Sequence, residues 1–168
     1  MLLPKSNSQD VSGIELFDAL IKTGEEKSFI VLPFQLHTFL VNCLAEHMRD
    51  RAIGFQALAL GLLDVPKKHG ERTNLLLKRT GDAALILAGL FPERALRLHV
   101  SSGYFRFMGQ AAYMSLAGRF QAVGKRHRGE FYDEIAHHFH FLEKVLNAVR
   151  ARPETEWEAY KRFRIKLT

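Results

Sequence analysis

The stretch Ala83–Phe91 (AALILAGLF) constrains this chain most, because as a helix it is apolar around its whole circumference. A helix without a polar face has to be enclosed by other helices. It completes a longer helical segment predicted over 71–91, which Pro92 ends or kinks. The next predicted helix, 101–118 with Ser101 as its N-cap, carries Gly109, Ala111, Ala112, Ser115 and Ala117. Small residues at that density let two helix backbones approach closely. These two segments are therefore expected at the centre of an all-α, single-domain helical bundle spanning 1–168, with about six or seven helices in all.

The helical period runs through the rest of the chain. Ile14, Phe17, Leu20 and Ile21 share one side of a helix over 11–22, which Thr23-Gly24 is expected to end. Pro33 suits the first turn of a second helix reaching Met48, and a third over 51–63 stops before Pro66. A short helical piece is expected over 93–98. A basic, flexible loop over 123–129 (VGKRHRG) leads to a helix over 130–150. The last helix, in the basic segment 155–168, has Thr155 and Glu158 at capping-box spacing, and residues 1–9 read as a flexible N-terminus. No convincing alternation of apolar and polar residues predicts a sheet.

The 168 residues, 47% apolar and 25% charged, are enough for one domain with a real core. The one cysteine, Cys43, lies in an apolar stretch and reads as a small hydrophobe in a reducing compartment. The first ten residues lack the basic-then-apolar layout of a signal peptide, and the longest apolar run is far short of a membrane span, so a cytoplasmic location is expected. The net charge of +6 is uneven. Residues 1–84 carry 10 Lys/Arg against 10 Asp/Glu, whereas 85–168 carry 14 against 8.

Three constellations bear on chemistry. The first is histidine-rich, with Glu134 and His137 at the Glu-x-x-His spacing of di-iron bundles. At about 100° per residue, however, Glu134 and His138 turn toward the apolar face while His137 and His140 turn away. No second Glu-x-x-His exists. His37 shares a face with Leu40, Val41 and Leu44, so His37, Glu134 and His138 form the candidate set for a metal or haem iron. The competing expectation is that each histidine makes an ordinary core hydrogen bond.

The second constellation is Arg79-Thr80-Gly81-Asp82. Arg79 and Asp82, three apart, project to the side of Leu75, Ile86 and Leu90, where a charge must be paired or used. A structural role, either a buried Arg79–Asp82 pair or Asp82 capping a helix broken at Gly81, is favoured over an acid at the base of a ligand pocket. Tyr104 projects to the core side with Met108, and Tyr113 roughly opposite. The pocket candidates are thus His37, Arg79, Asp82, Tyr104, Glu134 and His138.

The third is basic: Lys125, Arg126 and Arg128 in the loop, and Lys161, Arg162, Arg164 and Lys166 interleaved with Trp157, Tyr160 and Phe163 in the tail. Such a strip can hold nucleic-acid backbone, but aromatics at three-residue spacing favour docking of the tail onto the body. Gly-x-Ser-x-Gly elbows and Gly-rich phosphate loops are absent from the sequence.

The stretch Arg79–Phe91, with Tyr104, Gly109 and Ala112-Tyr113, resembles a family of uncharacterised bacterial all-helical proteins. The shared pattern is Gly-Asp, an apolar run to Phe, then Tyr and an Ala-Tyr pair, all within residues 79–113. Where that family carries Tyr-Tyr, this chain has Tyr104-Phe105. The resemblance implies a bacterial origin and an all-helical fold, and it transfers no activity.

Since no catalytic set assembles, the leading expectation is a non-enzymatic binding or regulatory module that uses a helical surface or a core pocket, with a protein partner or self-association among the candidates. A metal-, haem- or small-ligand-binding protein, such as an oxidase built on the inward His and acid residues, is the alternative. A weak, indiscriminate nucleic-acid binder using the basic half is the third.

Overall fold

Residues 8–47, 70–97, 99–101 and 103–150 are described in the computed structural model, and every regular element among them is an α-helix. These are α1 (Ser8–Ser28), α2 (Phe34–His47), α3 (Glu71–Leu90), α4 (Glu93–Arg97), α5 (Tyr104–Ala122), α6 (Arg126–His137) and α7 (Phe139–Arg150). The helices predicted over 51–63 and 155–168 lie outside the described residues.

Helix α3 is the enclosed helix that its composition demanded. Every residue from Thr80 to Leu90 is buried. It packs between α5 and α7, while α6 lies against α5, and α1 covers α7 and α2. The core runs through Phe17, Ile21, Leu36, Leu40, Leu85, Phe105, Phe139 and Leu146. A half-buried ion pair ties α5 to α7: Arg106 donates to both oxygens of Glu143 at 2.6 and 3.0 Å. Among the described residues no helix is long and apolar enough to cross a membrane.

Several helix ends differ from expectation, each for a physical reason. Gly24 does not end α1; it lies buried mid-helix, where a Cβ would sit 2.6 Å from the Val145 carbonyl of α7. Its lack of a side chain serves close packing rather than termination. Gly81 likewise does not break α3. Ser101 is not the cap of α5, whose N-cap is Gly103 with no side-chain hydrogen bond, and α5 continues past Gly118 to Ala122. The basic loop shrinks to residues 123–125, because α6 already starts at Arg126. The helix expected over 130–150 is two, with His138 (φ −93°, ψ 8°) between them. The break lets α6 face α5 through Ile135 and Ala136 while α7 turns Leu142, Val145 and Val149 toward α1 and α3.

The true end of α1 is a Schellman turn. The Ile30 N–H donates to the Glu25 carbonyl and the Phe29 N–H to the Glu26 carbonyl. The residue in the left-handed position is Phe29, at φ 56°, where glycine is usual.

Candidate functional site

Asp82 lies in the middle of the enclosed helix and is 0% exposed. A carboxylate placed there needs partners from every helix around it. One turn earlier on α3, Lys78 reaches it at the i, i+4 spacing, with Nζ donating to Oδ2 at 2.7 Å. From α2, His47 Nε2 lies 2.8 Å from the same oxygen. From α5, the Tyr113 hydroxyl donates to Oδ1 at 2.7 Å. Lys78 also donates to Glu46 at 2.9 Å, and with its side chain 27% exposed it links the buried acid to the surface. Cys43, one turn before His47 on α2, completes the cluster. One donor atom each from Cys43, His47 and Asp82 lie within 4.8 Å of one another.

The electrostatics follow from burial and pairing. Burial pushes the Asp82 carboxyl up, but the hydrogen bond from His47 and the charge and hydrogen bond of Lys78 outweigh it, so the acid titrates below its ordinary value. For Lys78, burial acts against the ammonium, yet the Asp82 charge wins and the pKa rises. Burial, reinforced by the Asp82 charge, raises both the Cys43 thiol and the Tyr113 phenol well above their usual values. Near neutrality the node is therefore an ionised Asp82–Lys78 pair with a neutral thiol and a neutral phenol. Aromatic rings close it: Tyr132 stacks on Tyr113 at 6.2 Å, and Phe39 meets Tyr113 edge-on at 5.9 Å.

The structure corrects the expected partner of Asp82. Arg79 is exposed, and the cation on the acid is Lys78. The three-residue projection failed because Leu75, taken as part of the inward side, is itself 51% exposed. Asp82 is not a helix cap, since α3 is continuous through Gly81. Tyr113, expected opposite the core, is 0% exposed, because α5 is covered on more than one side by α3 and α6. His47 and Lys78 were missed. The available signals were the stripe Leu36, Leu40, Cys43, His47 along α2 and the four-residue spacing of Lys78 and Asp82.

The other expected site residues are dispersed. His37 sits between α1 carboxylates, with Nε2 2.8 Å from Asp18 and Nδ1 2.9 Å from Glu25. Glu134 accepts from Gln35 at 2.8 Å. His138 is partly buried, with Nδ1 2.9 Å from the Glu134 carbonyl of its own turn, while His137 and His140 are exposed as projected. His37, Glu134 and His138 thus do not converge as a donor set. Tyr104 packs partly buried against the core, edge-on to Phe105. In the basic turn, Lys125 pairs with Glu71 and Arg126 with Glu130, while Arg128 lies over the Phe120 ring. Lys161, Arg162, Arg164 and Lys166 lie outside the described residues.

A second feature is on the surface. At the α1–α2 turn, Phe29, Val31 and Phe34 are 94%, 92% and 84% exposed. An open depression beside them is lined by Lys22, Glu25, Glu26, Phe29 and Val31. Beneath it the turn is held firmly, since Glu25 accepts from the Leu32 N–H at 2.8 Å as well as facing His37. Compared with known proteins, the chain matches no family model, no curated protein and no solved structure.

Proposed function

We propose that this chain is a non-enzymatic helical module that docks a protein partner through the apolar turn between α1 and α2. The observation that carries this reading is the display of Phe29, Val31 and Phe34 within six residues, with Phe29 in a left-handed conformation. A bulky residue at that backbone position costs about 1 kcal/mol relative to glycine, and Phe29 recovers none of it by burial. Aromatic anchors beside charged residues, here Lys22, Glu25 and Glu26, are the usual make-up of an interface centre and its rim. The buried node supports a non-catalytic reading, because its thiol and phenol are held neutral and both oxygens of Asp82 already face donors. The basic turn favours nucleic acid less, since Glu71 and Glu130 already offset Lys125 and Arg126.

Phe29→Gly gives a test with opposed signs. Relief of the left-handed strain is expected to raise stability by about 1 kcal/mol in urea melts. The same change removes an anchor and is expected to weaken association. A photo-crosslinking side chain at position 34, placed in the full chain inside cells, should capture a discrete protein species. Phe29→Gly should abolish that species while the fold becomes more stable. Absence of any crosslinked species from positions 29, 31 and 34 would sink the proposal. So would a species indifferent to Phe29→Gly.

A further inference from the structure

The buried node also places three metal-ligating side chains of different chemistry around one point. Cys43 and His47 are four residues apart on α2, so both project from one face of the helix toward α3. Asp82 meets them from α3, and one donor atom from each of the three falls within 4.8 Å of the others. A tetrahedral Zn²⁺ with bonds of about 2.0–2.3 Å needs its donors roughly 3.3–3.7 Å apart. To reach that spacing the His47–Asp82 pair, now at 2.8 Å, would open slightly, while the wider separations would close by about 1 Å or less. Thiolate, imidazole and carboxylate together are a donor set suited to Zn²⁺ rather than to Mg²⁺ or Ca²⁺, which take oxygen ligands.

We propose that Cys43, His47 and Asp82 form a transition-metal site selective for Zn²⁺-like ions, with Lys78 as the cation that holds it closed in the metal-free protein. Lys78 Nζ and the His47 ring face the same Asp82 oxygen, Oδ2, which a metal would take. Lys78 has a second carboxylate within reach at 2.9 Å, Glu46, which is exposed. On metal entry Lys78 turns fully to Glu46, the thiol releases its proton to solvent, and neutral His47 changes tautomer, losing the Nε2 hydrogen to solvent and gaining one on Nδ1. One divalent cation then faces one thiolate and one carboxylate, and the local charge balances. The Tyr113 hydroxyl keeps its hydrogen bond to Asp82 Oδ1 and orients the carboxylate from outside the ligand set, as outer-shell partners do.

Co²⁺ is the direct probe, because its thiolate charge-transfer band reports a sulfur ligand. Full-length protein stripped with a chelator and titrated with Co²⁺ should develop that band to one equivalent, and Zn²⁺ should displace it. Bound Zn²⁺ should also raise the melting temperature, since a ligand that binds only the folded state stabilises it. Cys43→Ala and His47→Gln should each weaken Zn²⁺ binding by at least about 100-fold, the upper end of what outer-shell partners alone contribute. A folded wild-type protein that shows no thiolate–cobalt band overturns the proposal regardless of how the variants behave. A Zn²⁺-induced rise in melting temperature that survives in Cys43→Ala also overturns it, by placing the metal on exposed histidines such as His127 or His137.

Discussion

Asp82→Ala is expected to cost about 3–5 kcal/mol, the usual penalty for removing one member of a buried charged pair. That is a large part of the 5–15 kcal/mol that typically holds a domain together. The loss has two sources. Lys78 is left without its closest anion, although it can turn to Glu46. The buried Tyr113 hydroxyl and His47 ring both lose an acceptor, and an orphaned buried polar group costs about 1–3 kcal/mol. Lys78→Met is expected to be at least as damaging, since Asp82 is fully buried and cannot turn elsewhere. Arg79→Ala should lie within about 0.5 kcal/mol of wild type, as an exposed side chain without a partner in the node. Urea melts of the singles and doubles separate these. The Lys78/Asp82 double mutant should lose less than the sum of its singles, while Arg79/Asp82 should be additive. An additive Lys78/Asp82 pair would show that the two do not interact in solution.

The same node contributes to the pH dependence of stability. The folded pKa of Asp82 lies below its ordinary 3.8, so its contribution is present above 3.8 and is lost as pH falls through the lowered value. On the alkaline side the folded thiol and phenol hold their protons more tightly than the unfolded chain does. Stability therefore declines as pH rises past the ordinary values of 9.0 for Cys43 and 10.0 for Tyr113. Melting temperature against pH should show both limbs, and Asp82→Asn should flatten the acid one.

The fold was legible in the sequence wherever a pattern was local. The run Ala83–Phe91 demanded enclosure, and the projection separated His137 and His140 from His138 correctly. Most of what escaped depends on a neighbour distant in sequence; Lys78, four residues before Asp82, was the local exception. Gly24 and Gly81 read as helix breakers, because a glycine's helix propensity is visible locally whereas the side chain pressed against it is not. Asp82 was rightly expected to be buried and paired. Its true partners include His47 and Tyr113, which lie 35 and 31 residues away. The break at His138 was hidden too, because the apolar pattern runs on through it. Only the change of partner helix, from α5 to α3 and α1, makes the break intelligible.

Gly81 gives the second large effect, and its sign runs against helix propensity. In an exposed helix interior, Gly→Ala stabilises by about 1 kcal/mol. At Gly81 a Cβ would lie 2.5 Å from Cε1 and 2.7 Å from Cζ of Tyr113, inside any allowed contact. The ring cannot simply move aside. Its hydroxyl is bonded to Asp82, Tyr132 stacks on it and Phe39 abuts its edge. Overpacking of this kind typically costs about 1–3 kcal/mol, and displacing the hydroxyl adds an unmet acceptor on Asp82. Gly81→Ala is therefore expected to lose at least about 2 kcal/mol net of the propensity gain. Gly118, exposed on α5 with open space around its Cβ position, is the matched control. Gly118→Ala should stabilise by about 1 kcal/mol. Opposite shifts of the two variants in the same urea melts would establish that Gly81 is required for close approach of α3 to the Tyr113 ring. If both were stabilising, α3 and α5 would have to sit further apart than the hydrogen bond between Tyr113 and Asp82 allows.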